Sequence, residues 1–169
     1  RQRQMCIRDS YIKANEFSLI NVSLNDTLYI KSQFKGGKRR EDQFDLNLYY
    51  TTNDKNYVLG LKPSKAKFKN TSWELNSEES PETKLVFNPL NRAFEMDAVA
   101  MTYKDQKISL RANAKDSLST SIALEFENVD LAKVTPEIDS LSLGGTINGG
   151  LNVSKFKDTY LPKSMLDIE

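Results

Sequence analysis

The side chains in this sequence that could perform acid–base chemistry or bind a cation are mainly carboxylates. Two pairs lie close together along the chain, Asp42 with Asp45 and Glu78 with Glu79. Such pairs can act as a general acid and a general base, or supply oxygen ligands to calcium. Their spacing is not that of an EF-hand calcium loop, and the stretches around them are polar. We therefore interpret them as solvated charges and expect no metal site.

Serine and cysteine, the usual nucleophiles, are present without the groups that would activate them. Ser117, Ser119 and Ser121 do not lie in a GxSxG motif, and the chain contains no histidine, the commonest general base. The single cysteine, Cys6, excludes an internal disulfide and a CxxC metal site. The sequence thus predicts a protein that is not an enzyme and that has no cofactor.

A Gly-rich segment at residues 144–150, GGTINGG, invites comparison with a phosphate-binding loop. It lacks the lysine of the GxxxxGK[ST] motif and does not open a helix. The glycine pairs on either side of Thr-Ile-Asn would allow positive φ at both edges of a tight connection. We interpret this segment as a turn between two strands.

The charge balance gives no indication of a nucleic-acid partner. The 24 basic and 23 acidic residues nearly cancel, so no net field attracts a polyanion. One local basic group, formed by Lys35, Lys38, Arg39 and Arg40, lies beside two acidic residues and has no interleaved aromatic side chains. We interpret it as a charged loop.

The elements that carry these residues are predicted to be β-strands. From Glu16 onward, apolar residues alternate with polar ones, and turn-forming residues recur at intervals of roughly eight to twelve residues. No segment of helical length has a 3.6-residue period. The sequence therefore predicts an all-β, mostly antiparallel sheet with one apolar and one polar face.

Several local features interrupt this alternation. Pro63 ends a predicted strand, and residues 76–84 form an acidic polar loop. The alternation changes phase near Ile20, which is typical of a bulge, and it shifts phase again between Met96 and Val99.

A single helical turn is predicted in the connection that follows the strand around Leu124. Asp130 and the nearby Asn128 offer capping oxygens, and residues 131–134 can form one turn. Pro136 either ends this turn or begins a second short one. One or two short helical turns are therefore expected near residues 130–140.

The remaining constellation is an apolar stripe that runs through most of the predicted strands. Its side chains either pack as the core of a closed sandwich or barrel, or line an open groove, and composition does not choose between the two. The stripe consists of Leu46, Leu48, Tyr50, Leu59, Leu61, Trp73, Leu85, Phe87, Met96, Met101, Ile108, Leu110, Ile122, Leu124 and Phe126.

The order of elements near the end of the chain carries a family resemblance. In residues 126–156, FENVDLAKVTPEIDSLSLGGTINGGLNVSKF, a strand ends in a short Leu-containing helix and a GGTINGGLNV segment opens the next strand. This order resembles the repeats of the translocation and assembly module (TamB) and AsmA-like family, in particular its Bacteroidota-type members. The resemblance covers most of residues 16–169.

The resemblance implies an elongated sheet curved into a U-shaped groove, whose apolar interior holds phospholipid acyl chains. It implies a role in lipid transport and outer-membrane biogenesis, in the periplasm or cell envelope. The implied partners are phospholipid acyl chains, neighbouring β-repeats of a longer chain and an outer-membrane β-barrel protein. An inner-membrane anchor would lie outside these residues.

The expected organisation is a single β-rich segment at residues 11–169 that is incomplete at both ends. Residues 1–10, RQRQMCIRDS, resemble a translated sequencing adaptor, and we expect them to be a non-native tail. An alternative function that the pattern leaves open is a self-contained β-sandwich that acts as an adhesion or carbohydrate-binding module. That alternative requires the apolar stripe to be closed by a second layer.

Overall fold

A computed structural model describes residues 15–36, 42–76, 82–116, 118–135 and 143–169, and these residues form one antiparallel β-sheet with a single short helix. The predicted all-β fold is therefore confirmed, whereas the expected tail at residues 1–10 lies outside the described residues. In chain order the elements are β1 (Asn15–Leu24), β2 (Thr27–Gly36), β3 (Asp42–Asn53), β4 (Asn56–Leu61), β5 (Ser64–Phe68), β6 (Thr71–Leu75), β7 (Thr83–Asn88), β8 (Ala93–Tyr103), β9 (Gln106–Ala114), β10 (Ser119–Asp130), α1 (Leu131–Val134), β11 (Thr146–Phe156) and β12 (Thr159–Ile168).

The twelve strands occupy ten positions across the sheet, here called strand lines, because two of these lines each consist of two shorter strands. β4 and β5 both pair with β3, one along each half of it. β6 and β7 both pair with β8 in the same way, and they also pair with β5 and β4 respectively. The topology is therefore a plain up-and-down meander in which each line pairs with its neighbour in sequence.

The first break separates β4 from β5 and lies at Pro63, where the sequence predicts the end of a strand. Hydrogen bonds from Lys62 and to Ser64 connect the two strands to β3 around this residue. Proline has no N–H to donate, so the regular pairing with β3 stops there. The N–H of Lys62 donates to the carbonyl of Asn47 (2.9 Å), and the N–H of Asn47 donates to the hydroxyl of Ser64 (2.9 Å). These bonds hold β4 and β5 in line with β3.

The second break is held by Asn76, which is almost fully buried (1% exposed). Its side-chain amide donates to the carbonyl of Leu61 (2.9 Å), and its own N–H donates to the carbonyl of Ala100 (2.9 Å). The hydroxyl of Thr83 lies 3.0 Å from the Asn76 carbonyl oxygen Oδ1 and donates to it. The side chain of Asn76 thus joins β4 with β7, and its backbone N–H joins the same point to β8 where the ladder is interrupted.

Replacing Asn76 by alanine should destabilise the sheet by about 2–3 kcal/mol, because buried backbone and hydroxyl groups would lose their partners. Asn76 also has a positive φ of 54°, which alanine tolerates less well than asparagine. The midpoint of urea unfolding should fall accordingly. Asn113→Ala, on an exposed part of β9, is the matched control and should leave the midpoint within the error of the wild type. Equal midpoints for the two variants would contradict this role of Asn76.

Two predicted phase changes have different outcomes. In β8 the register shifts between Met96 and Val99, where the sequence pattern changes phase. In β1 the register runs without a shift from Ser18 to Leu24, and the irregularity lies earlier, between Asn15 and Ser18. Ile20 and its apolar neighbours at alternate positions in β1 therefore lie on the polar side of the sheet, at an edge strand where both sides remain exposed.

The prediction of a turn at residues 144–150 is wrong, because Thr146 to Gly150 form the first half of β11. Gly145 and Gly149 do have positive φ, of 105° and 110°, as the glycine pattern suggested. The reason is close approach of β12, since a Cβ at Gly149 would collide with the carbonyl oxygen of Met165. The glycines therefore serve strand packing and not chain reversal.

Gly149→Ala should weaken the pairing of β11 with β12, because it combines an unfavourable φ with a backbone collision. Amide hydrogen exchange of β12 should become faster, while β2 and β3 keep their protection. Gly144→Ala is the control, since a Cβ there meets no atom within 4 Å. Unchanged exchange in β12 of the Gly149 variant would contradict the close approach of the β12 backbone to Gly149.

Candidate functional site: an apolar sheet face

The register of the sheet decides which side chains share a face. Residues paired across an antiparallel ladder point to the same side, and residues two apart on one strand do so as well. Leu48 pairs with Leu61, Leu85 with Met96, and Leu110 with Leu124. Following these pairs from β2 to β12 defines one apolar face and, behind it, one polar face.

All fifteen residues of the predicted stripe lie on this apolar face. The face extends beyond them, into strands at both sides whose residues the stripe omitted although they show the same alternation. The added residues include Leu28, Ile30, Phe34, Phe44, Tyr57, Phe94, Val99, Leu151 and Val153.

Most of the apolar face is not covered by other parts of the described chain. Among the fifteen residues, only Trp73 is buried (0% exposed), and ten are half-buried. Tyr50, Leu59, Leu110 and Ile122 are 36–44% exposed, although all four belong to the middle of the sheet. All twelve strands belong to the same sheet, so no second sheet of described residues seals this face.

Aromatic rings form a row across four strand lines at one end of the apolar face. The ring centroids of Tyr50 and Tyr57 are 6.3 Å apart, and those of Tyr57 and Phe87 are 6.4 Å apart. Phe94 pairs with Phe87 on the next line. Rings at these separations contact one another and present a continuous apolar surface.

The opposite end of the apolar face is closed by α1. Trp73, Val129 and Ile147 form a buried cluster, and Leu131 and Val134 of α1 pack against it. The indole ring of Trp73 also contacts Phe68 and Tyr103, at centroid distances of 5.9 and 5.8 Å. The end that contains α1, here called the closed end, is therefore packed as a small core, whereas the aromatic row lies at the open end.

The predicted helical turn at residues 131–134 is confirmed, and its cap is the one that the sequence suggested. The carboxylate of Asp130 accepts a hydrogen bond from the N–H of Ala132 (2.9 Å) and forms an ion pair with the ammonium of Lys133 (3.1 Å). These contacts, led by the bond from Lys133, hold the pKa of Asp130 below its ordinary value. The cap fixes the direction in which α1 leaves β10.

The carboxylate and serine groups weighed as catalytic candidates are not brought together. Asp45 lies on the polar face, where Gln33 donates to it (2.9 Å), and Asp42 lies three residues away on the other face. Ser119 and Ser121 are also on the polar face. Glu78, Glu79 and Ser117 lie outside the described residues.

The basic group is only partly described. Lys35 belongs to β2 and pairs with Glu16 (2.6 Å), so it is not a loop residue as predicted. Lys38, Arg39 and Arg40 lie outside the described residues. Within the described part of the chain, no group of three or more His, Cys, Asp or Glu side chains could hold a metal ion.

The polar face contains one buried aromatic side chain that the alternation assigned to solvent. Tyr49 is only 8% exposed because its ring lies over Gly60 on the neighbouring strand, where a side chain would collide with it. Lys62 lies over the rings of both Tyr29 and Tyr49, at 4.8 and 5.6 Å from their centroids. Burial, followed by the nearby charge of Glu82, raises the pKa of Tyr49.

No protein-family model, curated protein or solved structure matches this chain. Among the described residues, no helix has the length and apolar character needed to cross a membrane. The arrangement of the sheet is thus the basis for a functional argument.

The contrast between the two ends of the apolar face can be tested through stability. Trp73→Ala should cost about 3–5 kcal/mol, because it empties the buried cluster. Ile122→Ala, at a position 44% exposed, should cost less than about 1.5 kcal/mol, since much of its side chain is already in water. Urea unfolding measures both. A cost for Ile122→Ala as large as that of Trp73→Ala would mean that the face is sealed.

Proposed function

We propose that this chain is a structural segment of a cell-envelope protein of the TamB and AsmA-like type, and that its apolar face forms the wall of a groove for phospholipid acyl chains. The observation that carries the proposal is the continuous apolar face that crosses nine of the ten strand lines, from β2 to β12, with no second layer of described residues over it. Soluble proteins rarely expose a contiguous apolar surface of this extent unless it binds something.

The dimensions of the face suit an acyl chain. Nine strand lines at the usual strand spacing give the apolar face a width of about 38 Å. One leaflet of a bilayer has a hydrocarbon depth of only about 15 Å, half that of the whole core. A complete acyl chain therefore fits on the face, with room for it to move across neighbouring strands.

The energetics favour holding a lipid without specific polar contacts. Each methylene removed from water contributes about 0.8 kcal/mol, so binding accumulates along the chain. A wall of similar apolar side chains gives nearly the same energy at successive positions, which allows a lipid to slide. Such a mechanism uses no catalytic group, in agreement with the expectation that the protein is not an enzyme.

Two bulges support the proposal that the sheet curves into a U-shaped groove. The register shifts in β8 between Met96 and Val99, and in β10 between Phe126 and Val129. A bulge bends its strand and increases the local twist. Two of them on strands separated only by β9 favour a trough whose concave side is apolar.

The two edges of the sheet suit extension by neighbouring repeats. All ten residues of β12 are exposed, and β1 and β12 each have a strand neighbour on one side only within the described residues. Because the number of strand lines is even, a further strand beside β12 would run in the direction of β1. Repeats added in this way keep the apolar side chains on the same face.

The resemblance extends the proposal to the periplasm, to outer-membrane assembly with a β-barrel partner and to an inner-membrane anchor outside these residues. The rival function, a self-contained β-sandwich that binds carbohydrate or mediates adhesion, needs a second sheet over the apolar stripe. The described residues form a single sheet, so this rival receives no support.

Photo-crosslinking tests the groove directly. A photoreactive residue is placed at Leu124 or Leu48, on the apolar face, and at the adjacent Glu125 or Asn47, on the polar face. The protein is irradiated in the periplasm of a bacterial host and its adducts are analysed by mass spectrometry. Lipid adducts are expected at the two leucine positions and not at their neighbours. Equal yields at all four positions, or none, would remove the basis for a lipid groove.

A further inference from the structure

Three lysines from three different elements lie at the closed end of the apolar face. Lys69 lies in the turn between β5 and β6, and Lys104 lies in the turn between β8 and β9. These turns are neighbours, because β6 pairs with β8. Lys133 belongs to α1, which packs against the same cluster.

Two of these ammonium groups share one aromatic ring, and the third contacts α1. Those of Lys104 and Lys133 lie 5.4 and 5.5 Å from the centroid of the Tyr103 ring, so they are no more than about 11 Å apart. The ammonium of Lys69 donates to the carbonyl of Ala132 (3.0 Å), the residue before Lys133. Salt, with a Debye length of about 8 Å at physiological ionic strength, limits the repulsion between exposed charges this far apart.

Nearby carboxylates only partly offset this positive charge. Asp130 pairs with Lys133, and it also caps α1. Asp105, next to Lys104 in its turn, is exposed and forms no ion pair within the described residues. Lys69 and Lys104 have no carboxylate partner in the described part of the chain, and each ammonium retains free N–H donors.

We propose that Lys69, Lys104 and Lys133 form a headgroup site, and that the groove takes phospholipids of net negative charge with the headgroup phosphate at the closed end. The acyl chains then run from this site along the open part of the apolar face toward the aromatic row. The assignment rests on the proposed groove and adds to it a preferred lipid class and an orientation. Charge complementarity with apolar surface beside it identifies an anionic amphiphile as the occupant.

The test compares lipids that share their acyl chains and differ in headgroup charge. Binding of fluorescent phosphatidylglycerol, phosphatidylcholine and diacylglycerol to the purified chain is measured in detergent micelles. Phosphatidylglycerol should bind about tenfold more tightly than diacylglycerol, the factor expected from one charge-assisted hydrogen bond to the phosphate. It should also bind more tightly than phosphatidylcholine, because the choline cation of that lipid offsets the phosphate charge and is repelled by the lysines. The preference should shrink as salt is raised.

The double variant Lys69→Gln, Lys104→Gln should lose this preference and bind all three lipids equally. Lys55→Gln, Lys115→Gln removes two lysines at the opposite end of the strands and should keep the preference. Lys104→Gln alone serves if the double variant does not fold, because the Lys104 ammonium lies over the Tyr103 ring in an exposed turn. This single variant should reduce the preference severalfold.

Equal binding of the three lipids by the wild-type chain would overturn the headgroup site while leaving the acyl groove in place. A preference that survives removal of Lys69 and Lys104 would also overturn it. Failure to bind any of the three lipids, diacylglycerol included, would overturn the groove and the headgroup site together.

Discussion

Keeping every strand in phase with its neighbours is the constraint on which this sheet depends. A one-residue slip of any strand would move its apolar side chains to the polar face. Pairs such as Leu110 with Leu124 must therefore hold from one line to the next across the sheet. The bulges in β8 and β10 return the apolar side chains to the same face where the alternation of the sequence is interrupted. Hydrogen bonds of Asn76 and Ser64 keep neighbouring strands aligned at the two breaks.

The strands could be predicted from the sequence because the alternation of apolar and polar residues within each strand already specifies which side chains share a face in the sheet. Apolar residues two apart specify a face in each strand, and short polar turns fix the order, so a meander needs little further information. The break at Pro63 and the bulge after Met96 were also local, since each follows from the residues at that position.

The predictions failed where the cause lies on another strand. The glycines at residues 144–150 looked like a turn, but Gly149 is needed because the backbone of β12 passes close to it. Tyr49 looked solvated, but the absence of a side chain at Gly60 lets its ring lie flat on the sheet. The lysines at the closed end are distant in sequence, and only the docking of α1 brings Lys133 near Lys104. None of these contacts has a periodic signature.

The join between Asn76 and Thr83 has an evolutionary consequence. The side chains of these two residues meet at 3.0 Å, so the ends of the intervening stretch are fixed by the sheet and not by the length of that stretch. Loop-closure entropy grows only slowly with length. Insertions or deletions between Asn76 and Thr83 should therefore be tolerated during evolution. A new recognition element can arise there without changing the hydrogen bonds between strands.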